Sequence, residues 1–253
     1  MKPHDRPLKL ALIGYGRMGK EIEHVALERG MQITARIEID GPPLASEGVK
    51  KADVAVHFAA PSTVVQNINE LAALGISIVV GTTGWQQERA AVQRAVEKAG
   101  IGLVHSSNFS IGVNVLYRLL REAGPLFNRF PEYDIAIHEV HHKDKLDAPS
   151  GTALSLADIL LKSIKRKKEI LPGSPDRKIR PEQLQVTSAR LGTVVGLHRI
   201  TFDSTADSIE ITHAAKNRSG FALGAIVAAE WIAGKKGMYT FDDVLQDLFQ
   251  NQQ

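Results

Sequence analysis

Leu8 to Ile13 is apolar except for Lys9 and reads as a buried strand. A run with helical periodicity through Ile22, Val25, Ala26 and Leu27 follows and stops at Gly30. The alternation continues, with strands expected at 32–37, 53–59, 76–80 and 101–105 and helices at 62–74 and 85–99. A further helix runs through Val113, Leu116, Leu119 and Leu120. Repeated β–α units of this size predict an α/β fold with a Rossmann-like, doubly wound parallel sheet. Beyond Pro131 the pattern changes. A strand at 133–140 is followed by a helix from Ser150 to about Lys165, and Leu171 to Pro181 reads as a surface loop. Three strand-like runs come next, at 184–190, 193–202 and 208–214, with hairpin turns expected at Leu191-Gly192 and Ala206-Asp207. This block predicts a second, α+β domain with a mixed or antiparallel sheet. Two helices, 221–232 and 241–249, punctuated by Gly234 and Gly237, are placed to return to the first domain.

A length of 253 residues allows one large domain or two small ones. The absence of cysteine excludes disulfides, thiolate catalysis and Cys-ligated metals. Nothing approaches the roughly 18 apolar residues of a membrane span, and the apolar stretch near the start is too short for a signal peptide. A cytoplasmic protein without a membrane partner is expected. The net charge of +3 suits small anionic ligands at least as well as nucleic acid. The dense basic run Lys162 to Lys168 has no aromatic residue among its bases and reads as a solvated helix end, so no nucleic-acid partner is expected.

Two stretches carry chemistry. Gly14-Tyr15-Gly16-Arg17-Met18-Gly19 stands between a strand and a helix, the context in which G-x-G-x-x-G turns tightly and admits a pyrophosphate. The second strand delivers Glu38, at the distance where such folds bind ribose hydroxyls. A carboxylate there repels a 2′-phosphate, and Ile39, Asp40 and Gly41 bring no arginine to bind one. NADH is therefore expected to be favoured over NADPH, although Arg17 or Arg36 is available to bind the phosphate. Gly81-Thr82-Thr83-Gly84 and Ser106-Ser107-Asn108-Phe109-Ser110 follow later strands, where ligands of such sheets bind. The other stretch, His141 to Leu154, crowds two imidazoles, two ammonium groups and two carboxylates before a helix start. Ser150 is a suitable N-cap, and the free amides near Gly151 and Thr152 favour an anion. His141, His142, Lys143 and Lys145 are candidate proton donors beside it. A metal set of His138, His141 and His142 with Asp144 or Asp147 is opposed by Lys143 and Lys145, and no metal is expected.

Glu139-Val140-His141-His142, followed by Lys145-Leu146-Asp147-Ala148-Pro149-Ser150-Gly151-Thr152-Ala153, resembles the signature of the dihydrodipicolinate reductase (4-hydroxy-tetrahydrodipicolinate reductase) family. Gly14 to Gly19, Gly81 to Gly84 and Asn108-Phe109-Ser110 resemble its cofactor loops. Gly196-Leu197-His198, Ile209 to His213 and Phe221 to Ala225 resemble later blocks. The resemblance implies NAD(P)H-dependent reduction of a cyclic dicarboxylate to tetrahydrodipicolinate in lysine and diaminopimelate biosynthesis. It makes His141 the catalytic histidine and Lys145 the proton donor, and gives His142, Gly151 and Thr152 to the substrate. It implies a homotetramer, with residues 1–109 and 220–253 forming the dinucleotide-binding domain and 110–219 the substrate-binding and oligomerisation domain. With both histidines near the site, the chain is expected to leave the strand at about His141. Three departures stand out: the short glycine loop, His57-Phe58-Ala59 where the family often has Asp-Phe-Thr, and the missing arginine after the acid. The rival readings are another two-domain reductase and a non-catalytic NAD sensor.

Overall fold

The computed structural model describes residues 6–38 and 44–250. The chain divides into two compact units, one ending at Ile111 and resuming at Arg218, the other Gly112–Asn217. The first opens with β1 (Lys9–Ile13), α1 (Arg17–Glu28), β2 (Gln32–Ile37) and the one-turn α2 (Glu47–Lys50). It continues through β3 (Val54–His57), α3 (Val64–Ala73), β4 (Ser77–Val80), α4 (Arg89–Ala99) and β5 (Gly102–His105). The second unit holds most of α5 (Ile111–Asn128), then β6 (Asp134–His141), α6 (Gly151–Ser163), β7 (Glu169–Pro172), β8 (Gln183–Arg190), β9 (Gly196–Asp203) and β10 (Ser208–Ala215). The chain returns to the first unit with α7 (Ser219–Ile232), β11 (Gly237–Thr240) and α8 (Phe241–Gln250).

In the first unit the sheet order is β11-β5-β4-β3-β1-β2, all parallel. Side chains alternate across each strand, so both faces need cover. Leu10, Leu12, Val56 and Val104 pack with α1, α7 and α8. Ala11, Ile13, Ala55 and Leu103 pack with α2, α3 and α4. This is the doubly wound arrangement the apolar runs predict. The direction of winding reverses at β1, which puts the glycine loop at the switch point.

The second sheet runs β10-β9-β6-β8-β7 and is mixed, with β6, β7 and β8 parallel and β9 antiparallel to both β6 and β10. Helices α5 and α6 share one core with Ile135, Ile137, Leu184, Val186, Ile200 and Phe202.

Four expectations are corrected. Leu191-Gly192 does not close a hairpin, because β8 and β9 lie on opposite sides of β6. The expected loop from Leu171 begins inside β7, an edge strand too short to show alternation. Gly237 opens β11, which pairs with β5 between the last two helices. The basic run lies largely beyond the end of α6 and is not uniformly solvated. Lys167 is buried, donating to the Gln183 carbonyl at 2.7 Å and pairing with Asp134 at 2.6 Å, and Arg166 donates to the Phe127 and Tyr133 carbonyls.

Gly224 in α7 lies against the loop after β5. A Cβ there would sit 1.8 Å from the Phe109 carbonyl oxygen, a backbone atom with little room to move. Gly224→Ala is expected to cost on the order of 3 kcal/mol by overpacking, read as a lower thermal midpoint. Gly16→Ala, which meets nothing within 4 Å and loses only the preference for glycine at a helix N-cap, should lower the midpoint much less. Equal midpoints for the two variants would contradict this packing.

Candidate active site

In the first unit the chain leaves β1 through Gly14, at φ +93°, and a Cβ there would lie 2.4 Å from the Phe58 carbonyl oxygen. Gly16 is the N-cap of α1, so no side chain caps the first helical amides, and the space a Cβ would fill is open. An uncapped helix start with open space in front of it fits a pyrophosphate. Tyr15 and Arg36 both bind the Glu23 carboxylate, and Arg36 lies 5.8 Å from the Tyr15 ring centroid. Arg36 holds Glu23 below the usual carboxylate value. Of the two guanidiniums considered for a 2′-phosphate, that of Arg36 is thus already paired. Glu38 is exposed just past β2, as is Arg17 at the start of α1, and Met18 is half-buried. The stretch from Ile39 to Gly41 lies outside the described residues.

The two later loops are rigidly tied. Thr82 donates its hydroxyl proton to the Ala59 carbonyl at 3.1 Å, so its oxygen accepts from His57 Nδ1 at 3.0 Å. Asn67 then donates to His57 Nε2 at 3.0 Å. Every site on a neutral imidazole is used, and burial pushes His57 down to about 4. The unusual His57 therefore serves as an uncharged bolt between the loops after β3 and β4. Thr83 and Ser107 are exposed, whereas Gly81 lies against the Phe58 ring. Asn108 Oδ1 accepts from the Ser110 amide at 2.9 Å. Phe109 is only 2% exposed, its ring packed between Phe58 and Phe241, and Ser110 is buried, so the Phe109 ring serves packing. A larger crevice of about 690 Å³ lies at the opposite ends of the strands, between Arg6, Asp53, Gly100 and Lys235, away from all these loops.

In the second unit, three adjacent strands turn an apolar face polar at one end. On β6 the inward row is Ile135, Ile137, Glu139, His141, and on β8 it is Leu184, Val186, Ser188, Arg190. On β9, Phe202 and Ile200 give way to His198. Register sets Glu139 beside Ser188 and His198, and His141 beside Arg190. Glu139 is fully buried. One oxygen contacts His141 Nδ1 and the other accepts from Arg190 Nη1 at 3.1 Å. Burial pushes this carboxyl up, but the neighbouring Ser188 hydroxyl, His141 and Arg190 outweigh it and hold the group below its usual value. Burial, with His141 next to it, pushes His198 down to about 4. Its ring meets His141 edge-on at 5.2 Å.

The strand ends at His141, and the half-buried His142 lies just beyond it. Lys145 pairs with Asp147 at 2.7 Å and holds that carboxyl below its ordinary value. Ser150 caps α6, accepting from the Ala153 amide at 3.2 Å, and its hydroxyl lies 3.3 Å from His198 Nε2. Gly151 is exposed with open space around it, and Thr152 is half-buried. His141, Lys145 and the open start of α6 thus belong to one end of this unit. The metal set considered from sequence does not assemble, because His138 faces the other side of the sheet and meets the Thr187 hydroxyl at 2.8 Å. Among the described residues, donor atoms of Glu139, His141 and His198 do lie within 4.8 Å of one another. Both Glu139 oxygens are already engaged, however, and Arg190 adds positive charge there. Nothing local in the sequence gives Glu139, Arg190 or His198 a role. The available signal was an acid in the inward period of an otherwise apolar strand.

The model of the dihydrodipicolinate reductase N-terminus matches residues 8–109, and that of its C-terminus matches 112–245. The chain belongs to the dihydrodipicolinate reductase family. It is 37% identical over 246 residues to the 4-hydroxy-tetrahydrodipicolinate reductase of Christiangramia forsetii, covering 96% of this chain and 100% of that one. It is 36% identical over 264 positions to the enzyme of that name from Methanosarcina barkeri, covering 94% and 99%. Among solved structures, a dipicolinate-bound dihydrodipicolinate reductase from Paenisporosarcina sp. TG-14 superposes with a TM-score of 0.75 at 24% identity, over 94% of this chain and 99% of that one. The glycine loop falls within the reductase N-terminal match and the His141 stretch within the C-terminal one.

His57 and His198 resist protonation in the fold down to about 4, against an ordinary 6.5. The unfolded chain binds these protons first, so stability is present above 6.5 and lost as the pH falls towards 4. Between pH 7 and 5 the loss is expected to be on the order of 2 kcal/mol for each. Urea unfolding at the two pH values checks it. Tryptophan fluorescence reports the unit of His57, since Trp85 and Trp231 both lie there, and far-UV circular dichroism reports both units. Identical midpoints at pH 7 and 5 would contradict the assigned burial.

Proposed function

We infer that this chain is an NAD(P)H-dependent oxidoreductase that reduces the 4-hydroxy-tetrahydrodipicolinate ring to tetrahydrodipicolinate in lysine and diaminopimelate biosynthesis. The observation that carries this is the shared end of the second unit, where His141, Lys145 and an open helix start meet in a chain matched by both reductase models. When bound, the reduced nicotinamide supplies the hydride. The protein supplies binding, orientation and the proton.

The amides from Gly14 to Gly19, with Tyr15, Arg17 and Met18 between the glycines, hold the pyrophosphate, and Glu38 holds the ribose. Gly81, Thr82, Thr83 and the segment Ser107 to Ser110 border the nicotinamide side. NADH is favoured, since Glu38 repels a 2′-phosphate and Glu23 already neutralises Arg36. The α6 amides at Gly151 and Thr152 bind one substrate carboxylate and His142 helps to orient it. Lys145 leaves Asp147 to donate the proton, with His141 beside it as the second proton-handling group. The protein acts in the cytoplasm as a homotetramer. The sheet face turned away from α5 and α6 supports that assembly, carrying Ala136, Val140 and Leu197 half-buried.

Activity coupled to dihydrodipicolinate synthase, with each cofactor in turn, tests the reading. Consumption of NADH at a higher kcat/KM than NADPH is expected. Lys145→Ala should lower kcat by roughly 10²–10⁴ while NADH still binds. Wild-type turnover in Lys145→Ala would remove the assigned acid, and no consumption of either cofactor by the wild type would remove the reaction.

A further inference from the structure

We propose that Arg190 is a positioning residue that sets both proton-handling groups at once, His141 through Glu139 and Lys145 through its backbone. This rests on the roles given to His141 and Lys145 above.

Arg190 ends β8, directly beside His141 at the end of β6, and the two strand ends are tied by the Leu191 amide donating to the His141 carbonyl at 2.8 Å. Its guanidinium reaches four acceptors. Nη1 donates to Glu139 Oε1 at 3.1 Å and to the Ala189 carbonyl at 2.8 Å. Nε donates to the Lys145 carbonyl at 3.1 Å, and Nη2 to the Asp147 carbonyl. A guanidinium is planar, always charged and carries five N–H groups in a fixed fork, so these bonds determine one another's geometry.

On one side the fork fixes the carboxylate. Glu139, ionised and fully buried, only accepts hydrogen bonds. Its contact with His141 Nδ1 therefore requires the proton on Nδ1. Nε2 is then the ring atom left for chemistry, and Gly196 makes room for it: a Cβ there would lie 3.0 Å from Nε2. On the other side the fork fixes the loop. The segment between β6 and α6 has no regular structure, and its own backbone bonds near Lys145 are the Lys145 amide to the His142 carbonyl and the Lys143 amide to Gly192. Arg190 adds anchors at the carbonyls of Lys145 and Asp147, the pair whose side chains form the ion pair at 2.7 Å. The charged and titratable groups around it are Glu139 and His141 on β6, Lys145 and Asp147 on the loop, and His198 on β9.

A residue that merely balanced the buried charge of Glu139 would be replaceable by lysine, and this separates the two accounts. A lysine keeps the charge but lacks the fork that spans Glu139 and two carbonyls. In Arg190→Lys, kcat in the coupled assay is expected to fall roughly 10- to 100-fold, the scale of a small misplacement of reacting groups. The thermal midpoint and the Kd for NADH should stay close to wild type. In a Lys145→Ala background the same substitution should cost less than it does alone, because part of its effect passes through Lys145. A folded Arg190→Lys enzyme with wild-type kcat would overturn the inference while leaving the reaction in place. A wild-type protein that reduces nothing would fail the functional reading, and this inference with it. A readout on the wild type itself covers the case of a variant that does not fold. The Arg190 Nε–H resonance should be protected from solvent exchange at pH 8, and a fast-exchanging Nε–H would overturn the anchoring.

Discussion

A carboxylate with no solvent contact must be neutralised where it sits, or take up a proton. Glu139 is in that position, at the end of an apolar row that begins with Ile135 and Ile137. The fold answers with neighbours at matching register, Arg190 and Ser188 on one side and His198 on the other, while His141 follows on the same face. Breaking such a buried pair by removing one partner costs far more than the pair contributes net. The group is therefore weak as a source of stability and strong as a constraint on geometry. It fixes a ring orientation and a loop position together, which a cluster of exposed charges would not do.

The first unit uses a different device. The loops after β1, β3, β4 and β5 hold their shape through neutral bonds and steric fit: Gly14 under Phe58, Gly224 under Phe109, and the His57 imidazole saturated by Thr82 and Asn67. Two carboxylates lie near the glycine loop and the end of β2. Glu23 pairs with Arg36, and Glu38 is exposed just beyond β2. One unit thus keeps its loops in place largely through uncharged contacts, while the other gathers Glu139, His141, Arg190, Lys145 and Asp147 at one end of its sheet.

The doubly wound sheet was legible because each of its main strands is a continuous apolar run between helices of clear period. The elements not legible in the sequence are short or depend on partners far along the chain. β7 and β11 have four residues each and gain their identity by pairing with β8 and β5. Leu191-Gly192 has the composition of a hairpin turn, but β6 lies between the strands it joins, and no local signal records that. In the second unit the residues of the signature were evident as titratable groups before a helix cap. Their organisers were not. Arg190 lies 51 positions from Glu139, and in sequence it looks like an ordinary strand end. His198 likewise becomes a neutral, buried neighbour of His141 only through the pairing of β9 with β6.

An ionised Glu139 holds the proton of the His141 ring on Nδ1. Nitrogen-15 correlation spectra of histidine-labelled protein, recorded where that ring is neutral, test it directly. His141 is expected as the Nδ1–H tautomer, with a strongly downfield Nδ1 proton that is lost in Glu139→Ala. A His141 ring protonated on Nε2 with Nδ1 bare would contradict it.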